Sequence, residues 1–453
     1  MIVHRTVLRA LLAACLAAIS LAQPAVAQNI PAGLEKIERI VVIHMENRSF
    51  DHLYGNFPGA NGLANAGAAA IQVDREGKPY TNLPPVIDPR TKKPHERFPQ
   101  NLPNRPFALD PYVSMNEQYG SPIHEFYTQQ MQINGGRMNM FAAWSDASSL
   151  AMGYHDTSKL RLWDYARRFT LADNFFHGAF GGSFLNHFWL VCACTPRYPN
   201  APGQIIAQVD DAGRLIKSGR VTPGGYAVNT MQPMGGPFNP QIHREDLLPA
   251  QDMPTIGERL TDKGITWIWY SGGWNEAEAC TVDPARFSFH HQPFVFFRHY
   301  ARGTEARKEH LKDLEDFLAD IDRGTLPAVS WYKPRRGIDQ HPGSSEVEPS
   351  DAHVADILKR IEASPVWHSV AVIVTYDENG GFWDHVAPPK RDRWGPGTRV
   401  PTIIVSPFAK QGFIDSTPYD TTSILKLIEL RHGLAPLTEA DARANGMLNA
   451  FQF

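Results

Sequence analysis

The sequence is poor in cysteine, in long apolar runs and in excess charge, and each shortage removes a class of explanation. Four cysteines in 453 residues are too few for a disulfide-built scaffold. Beyond residue 27 no apolar run reaches the roughly 20 residues that a spanning helix takes. Lys and Arg number 44 against 47 Asp and Glu. No global field therefore draws the chain toward nucleic acid or anionic lipid, and nucleic-acid binding is not expected. Nothing in the composition points to a coil, a repeat array or disorder. Ten Trp and an apolar fraction of 43% supply a large core.

The first residues, "MIVHRTVLRALLAACLAAISLAQPAVAQ", place Arg5 and Arg9 before an apolar run that ends in Ala25-Val26-Ala27. This reads as a secretory signal peptide cut near Ala27/Gln28, so the protein is expected in the bacterial periplasm or outside the cell. An uncleaved anchor, or a lipoprotein box around Cys15, is the alternative. Removal of residues 1–27 leaves 42 basic against 47 acidic residues, formally −5, with no transmembrane segment. The exported chain keeps Cys192, Cys194 and Cys280. The spacing of Cys192 and Cys194 disfavours a bond between them, so one of the two is expected to pair with Cys280. Metal binding by Cys192-Ala-Cys194 is the alternative.

Apolar strands are expected at 38–43, 264–273, 326–332, 369–381 and 400–409, with helices at 159–170, 304–324, 350–365 and 421–433. In 304–324 Leu311, Leu314, Leu318 and Ile321 share one face, between a Thr304 cap and a Gly324 stop. Alternation of fully apolar strands with helices indicates an α/β fold, a largely parallel central sheet covered on both faces. A proline-rich tract at about 78–112 reads as an irregular surface excursion.

Polar chemistry collects where two of these strands stop. "VVIHMEN" releases Glu46 and Asn47, and "AVIVTYDENGG" releases Asp377 and Glu378. In such sheets ligands bind beyond the carboxyl ends of the strands. Carboxylates converging there repel unless a cation neutralises them, and oxygen donors favour a divalent metal of hard or borderline type. The sequence does not choose the ion. In "GAFGGSFLNH" Gly181-Gly182 turn the chain and Ser183 opens an apolar helix. A hydroxyl there meets backbone N–H groups and the positive end of the dipole, which suits either a phosphate-receiving nucleophile or a simple N-cap. His124, His290, His291, His341 and His385 stand in loop-like contexts suited to binding an anion. Arg48 can serve as a phosphate clamp or pair with Asp51.

Six stretches then carry a resemblance: "ENRSFDHLYGNFPGANG" (46–62), "NGGRMNMF" (134–141), "GAFGGSFLNH" (178–187), "HHQPF" (290–294), "QHPGSS" (340–345) and "TYDENGGFWDHVAPP" (375–389). In content and order they resemble the bacterial phosphoesterase family of acid phosphatases and phospholipases C. The resemblance implies one alkaline-phosphatase-like catalytic domain over 28–453. It implies a metal held by Glu46, Asn47, Ser183, Asp377 and Glu378, with Ser183 as nucleophile. It places His124, His290, His291 and His341 around the phosphate, with His124 or His341 protonating the leaving oxygen. "GNFPGANG" and the Gly-Gly-Ser serine lean toward the acid phosphatase branch and phosphate monoesters. Phospholipase C activity on choline or ethanolamine phospholipids is the alternative.

Overall fold

The computed structural model describes residues 30–453; the expected signal peptide lies outside them. Eight strands form the central sheet: β1 Arg39–Met45, β2 Thr170–Ala172, β3 Trp267–Ser271, β4 Leu311–Lys312, β5 Val329–Lys333, β6 Val370–Tyr376, β7 Thr402–Val405 and β8 Phe413–Asp415. Their order is β4-β3-β5-β1-β6-β7-β2-β8. β1 lies between β5 and β6 and runs parallel to both. All seven residues of β6 are buried, as is nearly all of β1. Each fully buried aliphatic chain there contributes about 1.5–3 kcal/mol.

Alternate side chains send the two faces of the sheet to different helices. Tyr270 and Tyr332 pack on Phe317, with ring centroids 4.9 and 5.0 Å away. Phe317 belongs to α1, Leu314–Arg323. Trp269 and Trp331 point the other way, where Trp269 meets His187 of the helix Ser183–Cys192 at 6.2 Å. The expected α/β architecture, largely parallel and covered on both faces, is the one observed.

Four local expectations need correction. The strand at 400–409 is present but runs antiparallel to β6 and to β2. No helix lies between β6 and β7. The chain therefore re-enters the sheet at the end from which it left, which forces the reversed direction. The helix expected over 304–324 is two helices, Glu305–His310 and α1, separated by β4. Asp313 and Asp316 form a capping box that restarts the helix, while Leu311 pairs with Trp269 in the sheet. The proline-rich tract is more than an excursion. Ile87–Asp88 pairs with Lys93–Pro94, and Leu83, Val86, Phe98 and Leu102 bury in a second core with Phe382 and Trp383. Finally, Cys192 bonds to Cys194 and Cys280 is free and exposed. Ala193 adopts the left-handed conformation (φ 46°) after the helix, and this turns Cys194 back onto Cys192.

Arg399, fully buried, joins the segments that follow β1 and β6. Its guanidinium meets both oxygens of Asp384 at 2.8 and 3.1 Å and Asp51 Oδ1 at 3.2 Å. It also donates to the carbonyls of Asn61 and Asp173. Asp51 thus pairs with Arg399 and not with Arg48. Arg399→Ala strands two buried carboxylates and is expected to cost about 3–5 kcal/mol in denaturant unfolding. A loss below about 1 kcal/mol would show that the cluster does not hold the segments together.

Candidate active site

Adjacent strands make the site. Met45 faces Tyr376 across β1 and β6, so the next residues, Glu46 and Asp377, emerge side by side. The two turns then lock together. The Asn47 and Glu378 amides donate to Asp377 Oδ1 at 2.9 and 2.8 Å, and the Arg48 amide donates to the Glu378 carbonyl at 3.0 Å. Asn47 takes the left-handed conformation (φ 59°). Gly380 does too, and a Cβ on it would stand 2.3 Å from the Asn47 carbonyl oxygen, so only glycine fits.

Ser183 arrives from the other side, as the first residue of α2, Ser183–Cys192. The N-cap is Gly182, which leaves the serine hydroxyl free for something else. Its Oγ donates to Glu46 Oε2 and to Asn47 Oδ1, both at 3.1 Å. Gly181 makes the approach possible: with φ 90°, a Cβ there would sit 2.6 Å from the Phe126 amide nitrogen. The hydroxyl is thus held against two oxygen donors at the positive end of a helix.

Imidazoles surround it. His124 Nε2 lies 3.1 Å from Asn47 Nδ2 and 3.7 Å from Glu378 Oε1, while its Nδ1 donates to the Pro122 carbonyl. The His341 ring is 5.9 Å from that of His124 and donates from Nδ1 to the Pro342 carbonyl at 2.6 Å. Ring atoms of His290 and His291 come within 4.8 Å of a Glu46 oxygen. The structure therefore brings together Glu46, Asn47, Ser183, Asp377, Glu378, His124, His290, His291 and His341.

Arg48 and His385 are placed elsewhere. The Arg48 guanidinium is buried on the Gln340 carbonyl, with His52 and the Tyr119 hydroxyl beside it. His385 binds Asp51 Oδ2 through Nδ1 at 2.6 Å and reaches Asn61 through Nε2, in the Arg399 cluster.

Three participants were absent from the sequence reading. Lys333, at the end of β5 and fully buried, sets its Nζ 2.5 Å from Glu46 Oε1. Asp339 accepts from Ser345 and from the His341 amide. His187, one turn into α2, donates to the Ser183 carbonyl and comes within 4.8 Å of Glu46 and Asp377. Lys333 carried a signal of the kind used for Glu46: a charge released where a buried strand ends.

The electrostatics are those of a cation seat. Burial raises the pKa of Asp377 well above its usual range, and the neighbouring Glu46 raises it further. Glu378 is raised well above its range by burial and then by Asp377. For Glu46 burial acts in the same direction, but Lys333 and then His291 outweigh it and hold the group well below the usual range. Burial also lowers His291 to about 4. His291 Nε2 stands 3.0 Å and Lys333 Nζ 2.5 Å from Glu46 Oε1. Asp377 Oδ2 and Glu378 Oε1 accept no hydrogen bond. Buried carboxylate oxygens without donors are rare. With the Asn47 and Ser183 oxygens beside them, this donor set fits a divalent ion.

A group that carries negative charge and accepts attack by a hydroxyl is what such a site can serve, and a phosphoryl ester has both properties. The enzyme is a hydrolase acting on phosphoric ester bonds. Residues 37–435 match the model described as "Phosphoesterase family", and the chain belongs to that family. It is 28% identical to phospholipase C A of Mycobacterium tuberculosis (strain ATCC 25618 / H37Rv), over 93% of this chain and 78% of that one. It is 24% identical to the non-hemolytic phospholipase C of Pseudomonas aeruginosa, over 88% of this chain and 54% of that one. A third relative is non-specific phospholipase C1 of Arabidopsis thaliana, at 25% identity over 85% of this chain and 63% of that one. Among solved structures, an alkaline phosphatase superfamily protein from Vibrio parahaemolyticus aligns with 63% of each chain at 9% identity and a TM-score of 0.36, a likeness too slight to bear on the site.

Dialysis against a chelator is expected to lower both activity and melting temperature, and a divalent ion should restore both. Asp377→Asn should bind less metal by elemental analysis and should gain no thermal stability from added ion. Full activity in a metal-free preparation would refute the cation seat.

Proposed function

We propose that the protein is an exported phosphodiesterase of the phospholipase C kind, cleaving the bond between phosphate and glycerol in a glycerophospholipid. The relatives named phospholipase C support this over the monoester phosphatase toward which the sequence leans. The observation that carries it is a pair of cavities flanking the nucleophile. One, of about 520 Å³, is lined by His124, Gly182 and Phe184. The other, of about 320 Å³, is lined by His290, Arg336 and His341. Thr230 borders both. A phosphodiester has two substituents to place, and a monoester only one.

In this reading Ser183 Oγ attacks phosphorus in line. Its proton passes along the existing hydrogen bond to Glu46 Oε2, and Asn47 Oδ1 fixes the rotamer. The bond from phosphorus to the glycerol oxygen breaks, and that oxygen takes the electron pair and a proton. His341 is the donor in its imidazolium form: its Nδ1–H is held by the Pro342 carbonyl, so the proton it gives is the one on Nε2, the ring atom left for the substrate. A divalent ion bound by Glu46, Asn47, Ser183, Asp377 and Glu378 would lower the pKa of the hydroxyl and neutralise phosphate charge. Water then attacks the phosphoseryl group, giving its proton to His341, and Ser183 Oγ leaves with the proton held by Glu46. The amino-terminal stretch read as a signal peptide supports export.

One observation favours a second reading. The Gly-Gly-Ser serine and "GNFPGANG" resemble the acid phosphatase branch, which would make phosphate monoesters the substrates.

A panel of phosphatidylcholine, phosphatidylethanolamine, p-nitrophenylphosphorylcholine and p-nitrophenyl phosphate separates the two. The diesters are expected to be cleaved at higher kcat/KM, and turnover of the monoester alone would overturn the proposal. Ser183→Ala should lose at least about 10³-fold in kcat. His341→Asn should lower kcat/KM, which reports the step that expels the leaving group, by about 10²-fold for alkyl-leaving diesters and far less for p-nitrophenyl esters, since nitrophenolate needs no proton. Equal losses on both would remove His341 as the acid.

A further inference from the structure

A third cavity, of about 500 Å³, opens beside the two at the nucleophile. Met234, Pro237, Phe238, Val282, Pro284 and Phe289 line it. Asn239, Pro284 and Phe289 also line the cavity that holds His290 and His341, so the two share a wall. The apolar chamber therefore lies next to the cavity of the residue proposed as the acid.

The rim of that chamber is unusual for this protein. Among the described residues six large apolar side chains are exposed, and two of them, Met234 at 48% and Phe238 at 37%, border it. Exposed apolar groups at the mouth of a concave apolar site mark a ligand-binding surface more often than chance. The one charged side chain in the lining, Arg302, is engaged by internal partners. It donates to the Glu278 carbonyl at 2.9 Å and to Cys280 Sγ at 3.4 Å, and lies 3.7 Å from the Glu278 carboxylate. Nothing in the lining calls for an ionic ligand.

We infer that this chamber receives the acylglycerol leaving group, with Met234 and Phe238 holding the acyl chains as the phosphate lies between Ser183 and His341. The inference rests on the phosphodiesterase reading for its substrate. The polar cavity bordered by His124 and Asp146 is then left for the head group, which stays on phosphorus. Specificity for lipid over a water-soluble diester arises in the chamber, away from the reacting atoms.

Cys280 is an independent reporter, because it is a free, exposed thiol that lines the chamber. In the Ser183→Ala protein, dihexanoylglycerol is expected to slow alkylation of Cys280 by iodoacetamide at least fivefold, and phosphocholine to leave the rate unchanged. Phe238→Ser should abolish the protection. With Ser183 intact, Met234→Ser and Phe238→Ser should each lower kcat/KM for dihexanoylphosphatidylcholine about tenfold. Their hydrolysis of p-nitrophenylphosphorylcholine should stay within twofold of the parent, which also shows that they fold. In the parent enzyme kcat/KM should rise with acyl length, about fourfold per buried methylene. Alkylation unaffected by dihexanoylglycerol would overturn the inference even in an active phospholipase. Protection in a protein that cleaves no phospholipid would leave the chamber standing and sink the proposed reaction instead.

Discussion

The burial of three carboxylates at one edge of one sheet is the constraint on which the rest of the structure depends. Glu46, Asp377 and Glu378 are fully buried, and charges so placed repel one another and lose their hydration. The protein supplies one internal cation, Lys333, beside Glu46, and leaves Asp377 Oδ2 and Glu378 Oε1 without donors. One positive charge against three carboxylates leaves an unmet demand. That demand is compatible with a divalent ion, and it falls where the Ser183 hydroxyl points.

Holding such a cluster takes rigid surroundings, and these come from outside the sheet. Arg399 ties the segment after β1 to the segment after β6 through Asp51 and Asp384. The Ser49 hydroxyl adds a bond to the Trp383 carbonyl at 2.7 Å. Phe382 and Trp383, a few residues past Glu378, are buried in the second core that the proline-rich tract builds. The tract looked incidental in sequence, but it packs against the back of the loop that carries Asp377 and Glu378. His385 and Arg48 belong to this supporting layer by position, each spent on internal partners.

Much of the site was legible because its signals are local. A buried strand that stops in Glu-Asn or Asp-Glu, and a Gly-Gly turn before a helical serine, are visible one motif at a time. Lys333 has the same kind of signal, but a lysine after an apolar strand reads equally as a solvated end. The Cys192–Cys194 bond is not legible in sequence because it depends on one residue, Ala193, adopting a conformation that alanine seldom takes. The break in the helix over 304–324 is hidden because period 3.6 continues through residues that the sheet claims. Leu311 fits the helical face in register, and pairing with Trp269 decides otherwise.

By itself the sequence determined the strands, the amphipathic helices and the residues whose chemistry suits a phosphoryl ester, since each of these follows from neighbours a few positions apart. Strand order and direction were decided only by the tertiary structure. They bring Glu46 beside Asp377, 331 positions away, and set Lys333 next to Glu46. The same holds for the cavities, whose walls come from segments around 120, 183, 230, 280 and 340. Empty space between segments has no signature in any of them, because it is made by how their surfaces fail to meet.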